Sequence, residues 1–314
     1  MFKNFFLIFS IILLGTVNVV YGQDATVFNP DPAVGVRSDR NFDSIDDQGW
    51  YWLNSMYLRW SYFGAYYQTR LYYRLPIFRD QNSFWFADSA FMVGIEQDIG
   101  PFERTSLYLF WQPVIALAFE IRMGYEQDVA NYLKPVEVDG ADADYNFALP
   151  PFTGQNPNNK TPNYQGGKAF ILEFTPTLTM GGSIGDGMLA LIYSPIMTYV
   201  KNFQLHNDKY YFYGRDIIVM LPTDIYWKHN IKLGYNFTGT GMSMAVISII
   251  EHVQSSGRLM RAGLFGGFNF EKQLKKYPNL IPFFRAQVGS WLSDEYLKGD
   301  FAIGINGGLI WKFT

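Results

Sequence analysis

The 314-residue chain contains no cysteine, which excludes disulfide frameworks, thiolate metal sites and cysteine nucleophiles. Charge is scarce as well. Only 17% of residues are charged and the formal net charge is -3, so no basic field exists to hold nucleic acid. Beyond residue 22 there is no run of about 18 apolar residues, the length a membrane-crossing helix needs. The best candidates, 188–200 and 242–250, are short, and Ser194-Pro195 interrupts the first. Helical periodicity, with apolar residues at i, i+3, i+4 and i+7, is missing too. What the chain does have is apolar and aromatic material, 48% and 18% of residues, too much for a disordered polymer.

Residues 1–22 read as a secretory signal peptide. Lys3 supplies the cationic start, Phe5 to Leu14 the apolar core, and a run of smaller residues ending Val20-Tyr21-Gly22 the cleavage region. The polar run from Gln23 carries no positive stop-transfer flank, which argues against an anchoring helix. The expected organisation is a signal peptide at 1–22, a polar leader or plug at 23–49, and one domain over 50–314.

Within that domain apolar residues alternate with polar ones at a period of two, in segments bounded by Gly, Asn, Asp and Pro. Phe301, Ile303, Ile305, Leu309, Trp311 and Phe313 share one face of the last segment. Ala302, Gly304, Asn306, Gly308 and Lys312 share the other. Leu107, Leu109, Trp111, Ile115, Leu117, Phe119, Ile121 and Met123 likewise oppose Ser106, Gln112, Glu120 and Arg122. A soluble sandwich also alternates, but its strands usually run about 5–6 residues. The segments here are about twice that, long enough to cross a bilayer at a tilt. Bulky aromatics at their ends suit an interfacial girdle. Backbone groups in hydrocarbon must all be paired, so such strands must close on themselves. The fold class expected is an all-β, transmembrane, antiparallel up-and-down β-barrel, with apolar side chains facing lipid and polar ones facing a lumen.

On these features the chain resembles Gram-negative outer-membrane β-barrel proteins. The resemblance rests on the signal peptide, the amphipathic strands and the final strand ending Trp311-Lys312-Phe313-Thr314. In that class an aromatic-ended C-terminal strand is the signal for the barrel assembly machinery; here Phe313 is penultimate. The resemblance implies an exported protein of the bacterial outer membrane. Its partners would be outer-membrane lipid and, through strand 301–313, the assembly machinery.

Twelve strands are expected, within a range of about 10 to 14, an even number as single-chain bacterial barrels require. The apolar face switches from even positions at Met56 and Leu58 to odd ones at Tyr67 and Leu71, by a turn at Phe63-Gly64 or by a bulge. The stretch 105–125 reads as one very long strand, or as two parted at Gln112-Pro113. Segment 209–221 reads as a strand. With both termini on the periplasmic side, this list puts the long connection 126–167 there too, where turns are normally short. That connection, with Asp139, Asp142 and Asp144, reads as an inward-folded constriction or a surface contact loop. Its acid spacing is not that of an EF-hand.

Charged residues on the polar faces belong in the lumen, because one on the lipid face costs about 2–4 kcal/mol at midplane. The lumen and constriction candidates are Arg59, Arg70, Arg74, Asp88, Glu96, Glu120, Arg122, Glu173, Lys232, Arg261 and Arg285. Opposed rows of this kind make a transverse field that filters polar solutes. A passive pore for small polar solutes is therefore expected. The alternatives are a plugged structural or adhesive barrel, and a channel for hydrophobic molecules suggested by Tyr66, Tyr108 and Tyr210. No catalytic role, cofactor or metal is expected. His252 near Ser248, Ser255 and Ser256, and His206 before Asp208, are spacings a chain of this size offers freely.

Overall fold

A computed structural model describes residues 48–60, 64–77, 89–100, 102–114, 116–129, 135–138, 140, 167–213, 218–237, 240–256, 259–272, 274, 276–294 and 301–313. The expected signal peptide, nearly all of the 23–49 leader, Asp88, Asp139, Asp142 and Asp144 lie outside the described residues.

The described elements are all strands: β1 (Gly49–Trp60), β2 (Gly64–Pro76), β3 (Ala90–Ile99), β4 (Phe102–Val114), β5 (Leu117–Asp128), β6 (Val136–Val138), β7 (Lys168–Ile184), β8 (Gly187–Asn202), β9 (Tyr210–Tyr213), β10 (Ile218–Met220), β11 (Thr223–Phe237), β12 (Met242–Val253), β13 (Leu259–Glu271), β14 (Leu280–Asp294) and β15 (Phe301–Lys312). Twelve of them close an antiparallel barrel in the order β1-β15-β14-β13-β12-β11-β8-β7-β5-β4-β3-β2. Closure runs through ten consecutive β1–β15 pairs, from Tyr51 with Lys312 to Trp60 with Ile303. The remaining three strands form a separate sheet, β10-β9-β6.

The barrel is inside out. Trp52, Met56, Leu71, Ile95, Met180, Met244, Val246, Leu309 and Trp311 are exposed, while Arg70, Glu96, Lys232, Glu251 and Arg261 are each at most 1% exposed. A soluble protein would not expose so much large apolar surface while burying charge. Lipid takes the place of water outside, and the polar faces meet in the lumen. Aromatic rings gather where strands end near the termini: Trp52 and Trp311 have centroids 6.4 Å apart, and Trp50 and Tyr73 5.3 Å. The parity switch expected between β1 and β2 is present, since Leu53 and Ser55 point inward on one and Gln68 and Arg70 on the other.

Two of the expected strands differ, in opposite directions, so the count of twelve holds. Residues 105–125 are not one strand. They belong to β4 and β5, which pair antiparallel, and the register slips between Trp111 and Val114 at Gln112-Pro113. The bulge and the turn each reverse the parity, so odd residues face lipid from Leu107 to Trp111 and again from Phe119 to Met123, and the two strands read as one. Conversely, 209–221 is not a barrel strand; it supplies β9 and β10 of the inner sheet. The extra strand ahead of the 129–167 connection moves that connection to the end opposite the termini, correcting the periplasmic placement. It is also shorter than expected, because β5 runs on through Glu126 to Asp128.

The inner sheet sits within the barrel. One face, with Phe212 and Val219, packs on inward residues of the wall: Ile192, Ala245, Ile247, Ile249, Phe265 and Trp291. The other, with Tyr211, Tyr213, Ile218 and Met220, packs on Ile171, Val200, Tyr226 and Val253. β6 comes from the 129–167 connection and β9–β10 from the 203–222 connection, joined by β6–β9 and β9–β10 pairing. Toward the termini a second inward cluster, with Tyr51, Leu53, Tyr72, Met92, Tyr108, Phe110 and Phe283, fills the lumen with apolar side chains. Gly94 makes this possible. A Cβ there would lie 2.6 Å from the Cβ of Tyr72, and its absence lets Tyr72 and Tyr108, its register partners on β2 and β4, meet edge to face at 6.3 Å.

Candidate functional site

Beside the inner sheet lies a cavity of about 370 Å³. One wall carries Asp98 of β3, Arg104 of β4, Arg122, Glu126 and Asp128 of β5, and Glu173 of β7. The facing wall carries Lys228, Glu251 and Arg261 of β11–β13, and Tyr213, Ile218 and Met220 of the inner sheet overhang it.

Period-two geometry puts the charges of the first wall in adjoining columns, and the register sets them at neighbouring heights. Arg70 and Glu96 are direct cross-strand partners. The Arg70 Nε donates to Glu96 Oε2 at 2.7 Å, and its guanidinium lies 3.9 Å from the Tyr108 ring centre. Arg104 bridges Asp98 and Glu173, at 2.9 Å each, and reaches Glu96 at 3.5 Å. Arg122 lies 2.6 Å from Glu120, 3.7 Å from Glu173 and 3.8 Å from Glu96. This is a continuous network rather than a set of pairs. A buried network is favourable only when its members are satisfied together, and here each guanidinium meets at least one carboxylate.

The other wall is organised differently. Arg261 pairs with Glu251, its cross-strand partner, and Lys228 approaches the other Glu251 oxygen at 3.4 Å. Arg285 donates from Nε to Asn269 Oδ1 at 2.9 Å and lies 3.5 Å from Glu271. Among the charged residues that line the cavity, acids outnumber bases on β3–β7: Asp98, Glu126, Asp128 and Glu173 against Arg104 and Arg122. On β11–β13 bases outnumber acids: Lys228 and Arg261 against Glu251. The cavity lining is polarised from side to side.

Of the sequence candidates, Arg70, Arg74, Glu96, Glu120, Arg122, Glu173, Lys232, Arg261 and Arg285 all sit on inward-facing positions, buried or nearly so. Arg59 is on β1, but its side chain, like all of Asp88, lies outside the described residues. The structure brings Arg70, Glu96, Glu120, Arg122 and Glu173 together and leaves Lys232 apart. The sequence reading did not single out Asp98, Arg104, Lys228, Glu251 and Glu271, and it left Glu126 and Asp128 in a loop. Asp98 sits two residues beyond Glu96 and Glu271 two beyond Asn269, so strict parity would have found both. Glu251 was hidden because the inward face of β12 is Ala245, Ile247 and Ile249, as apolar as its outward face.

The histidines are elsewhere. His229 and His252 face outward, with rings stacked at 5.3 Å, flanked by Trp227. The Tyr193 hydroxyl lies 2.9 Å from His229 Nδ1. Two of the serines near His252 have other partners. Ser255 bonds Asp224, and the Ser256 hydroxyl donates to the Val253 carbonyl at 3.1 Å. Among the described residues no three metal-ligating side chains come together.

No protein-family model matches the chain, and no curated protein does. Among solved structures it is similar to the KdgM porin in complex with disordered oligogalacturonate, at 9% identity and a TM-score of 0.37, over 84% of this chain and 99% of that one. It is also similar to the NanC porin, at 8% identity and a TM-score of 0.38, over 83% of this chain and 100% of that one.

Proposed function

We propose that the protein is an outer-membrane barrel acting as a passive pore for small polar solutes. The observation that carries this reading is the cavity enclosed by an inside-out barrel and lined by an acid-rich wall facing a base-rich one. Such a lumen replaces the hydration of a polar solute with fixed charges while lipid-facing side chains hold the cylinder in place. Export by the 1–22 signal peptide and assembly through strand 301–313 belong to the same reading. The inner sheet narrows the path, so a small conductance is expected.

The test is stepwise ion conductance in planar bilayers by the detergent-folded barrel. Glu120→Ala removes a lumen acid and is expected to shift ion preference toward anions. A correctly folded barrel that stays electrically silent would sink the pore.

One observation favours a second reading. The inner sheet and the Tyr51, Tyr72, Tyr108 and Phe283 cluster together fill much of the lumen, as they would in a closed structural or adhesive barrel. Silence in bilayers, with residues 129–167 open to protease on intact cells, would select it.

A further inference from the structure

Lys232 stands out on the base-rich wall. It points inward from the middle of β11 and is 1% exposed. It makes no hydrogen bond or ion pair with any described residue. Its neighbours across the strands are apolar: Ile192 on β8 and Ile247 on β12, each at most 2% exposed. The charged groups close enough to act on it are Arg285 and Lys228, both cations. Lys228 is held by Glu251. A buried ammonium surrounded by like charge, with no acceptor, lacks the counter-charge that burial demands.

The register shows where that counter-charge would fit. Two residues below Lys232 on the inward face, one rung runs Gly234, Ala245, Gly267, Gln287, Gly304 across β11–β15. Its first three members put almost no side chain into the lumen. The next rung runs Asn236, Ser243, Asn269, Arg285, Asn306, an arc of amides and a hydroxyl around one guanidinium. The Nη1 of Arg285 has no hydrogen-bond partner among the described residues, and neither does the Oδ1 of Asn306. Three strands round the wall, Arg70 of β2 comes close enough to add positive charge.

We propose that this shelf binds a small oxyanion, held between the Lys232 ammonium and the free edge of the Arg285 guanidinium, with the Asn236, Asn269 and Asn306 amides alongside. Carboxylate and phosphate oxygens both suit the fork of an arginine, and the ammonium supplies a point charge from the other side. The site deepens the pore reading, on which it rests, by making oxyanions the class of solute that pauses in the lumen.

The test uses the full chain folded in detergent, titrated with inorganic phosphate at constant ionic strength. The midpoint of thermal unfolding is followed, since a ligand bound only by the folded state raises it in a saturable way. A saturable rise is expected for the wild type. Lys232→Met should abolish it, and Arg285→Gln should weaken phosphate by at least about tenfold through loss of a charge-assisted hydrogen bond. Lys209→Met, in the 203–222 connection, should leave it unchanged. If Lys232→Met does not fold, Lys232→Gln takes its place. A response that never saturates, or one retained undiminished without Lys232, overturns the site. Saturable phosphate binding in an electrically silent barrel would remove the pore and keep the site. A conducting barrel indifferent to phosphate would do the reverse.

Discussion

Arg261 and Glu251 are cross-strand partners on β13 and β12, joined by an ion pair, and each is 1% exposed. The guanidinium also lies 4.9 Å from the Trp291 ring centre, which roofs the pair on its apolar side. Glu251→Gln removes a paired carboxylate from a buried arginine. It is expected to cost about 3–5 kcal/mol of stability, read from urea unfolding in lipid vesicles. Replacing both by Met and Leu should recover much of that loss. A single variant as stable as the wild type would show that the pair contributes nothing.

The lipid face makes a second prediction. Ile95 lies mid-strand on β3 and is 62% exposed. Ile95→Arg should cost about 2–4 kcal/mol, and Thr223→Arg, at a strand end, only about 0–1 kcal/mol. The same vesicle unfolding assay measures both. Equal costs at the two sites would place hydrocarbon somewhere other than around this barrel.

Phe212 is 2% exposed and pins the inner sheet against Ile192, Ile247 and Phe265. Phe212→Asp puts a charge into that contact and should release the sheet from the wall. The expected outcome is a larger conductance step and faster swelling of solute-loaded liposomes. An unchanged step would mean that the narrowest point lies lower, among Tyr51, Tyr72 and Tyr108.

The inner sheet should also respond to alkaline pH. Burial pushes the Tyr213 phenol well above its ordinary value of 10.0, and the Asp128 and Asp224 carboxylates push it further. The hydrogen bond to Glu137 raises Lys209 above its ordinary 10.5, and Lys209 lies 3.2 Å from that carboxylate. Both values are higher in the folded protein than in the unfolded chain. The stabilisation they give is therefore complete below about pH 10 and fades as pH rises toward the folded values. Tyrosinate absorbance, taken as wild type minus Tyr213→Phe, should show Tyr213 ionising later than exposed tyrosines. A difference curve that titrates with the exposed class would contradict its burial.

Much of the barrel was legible because one physical rule, lipid outside and water inside, writes itself into every second residue. Ile303, Ile305 and Trp311 point out, while Asn306 and Ile310 point in, with no tertiary information needed. The rule fails wherever two apolar environments meet. Along β12, Ile247 faces the inner sheet and Val246 faces lipid, so both columns are hydrophobic and Glu251 was lost among them. The segment containing Tyr211, Phe212, Ile218 and Val219 failed for the same reason. It alternates because its two faces pack on opposite parts of the wall, a pattern no single sequence separates from a membrane strand. The β4–β5 turn disappeared behind the bulge at Gln112-Pro113, where two parity changes cancel. The lumen charges were found where they stand among polar neighbours, as Arg70 and Glu96 do. Their partnerships depend on registers between strands up to dozens of residues apart, which composition does not encode.

β6 is donated by one long connection and β9–β10 by another, and among the described residues Val136–Val138 pair only with β9. The inner sheet is therefore a clasp that fastens two separate connections to each other at the end of the barrel away from the termini. Excising Val136–Val138 would strip an edge from β9, and excising Tyr210–Tyr213 would remove the strand on which β6 is hung.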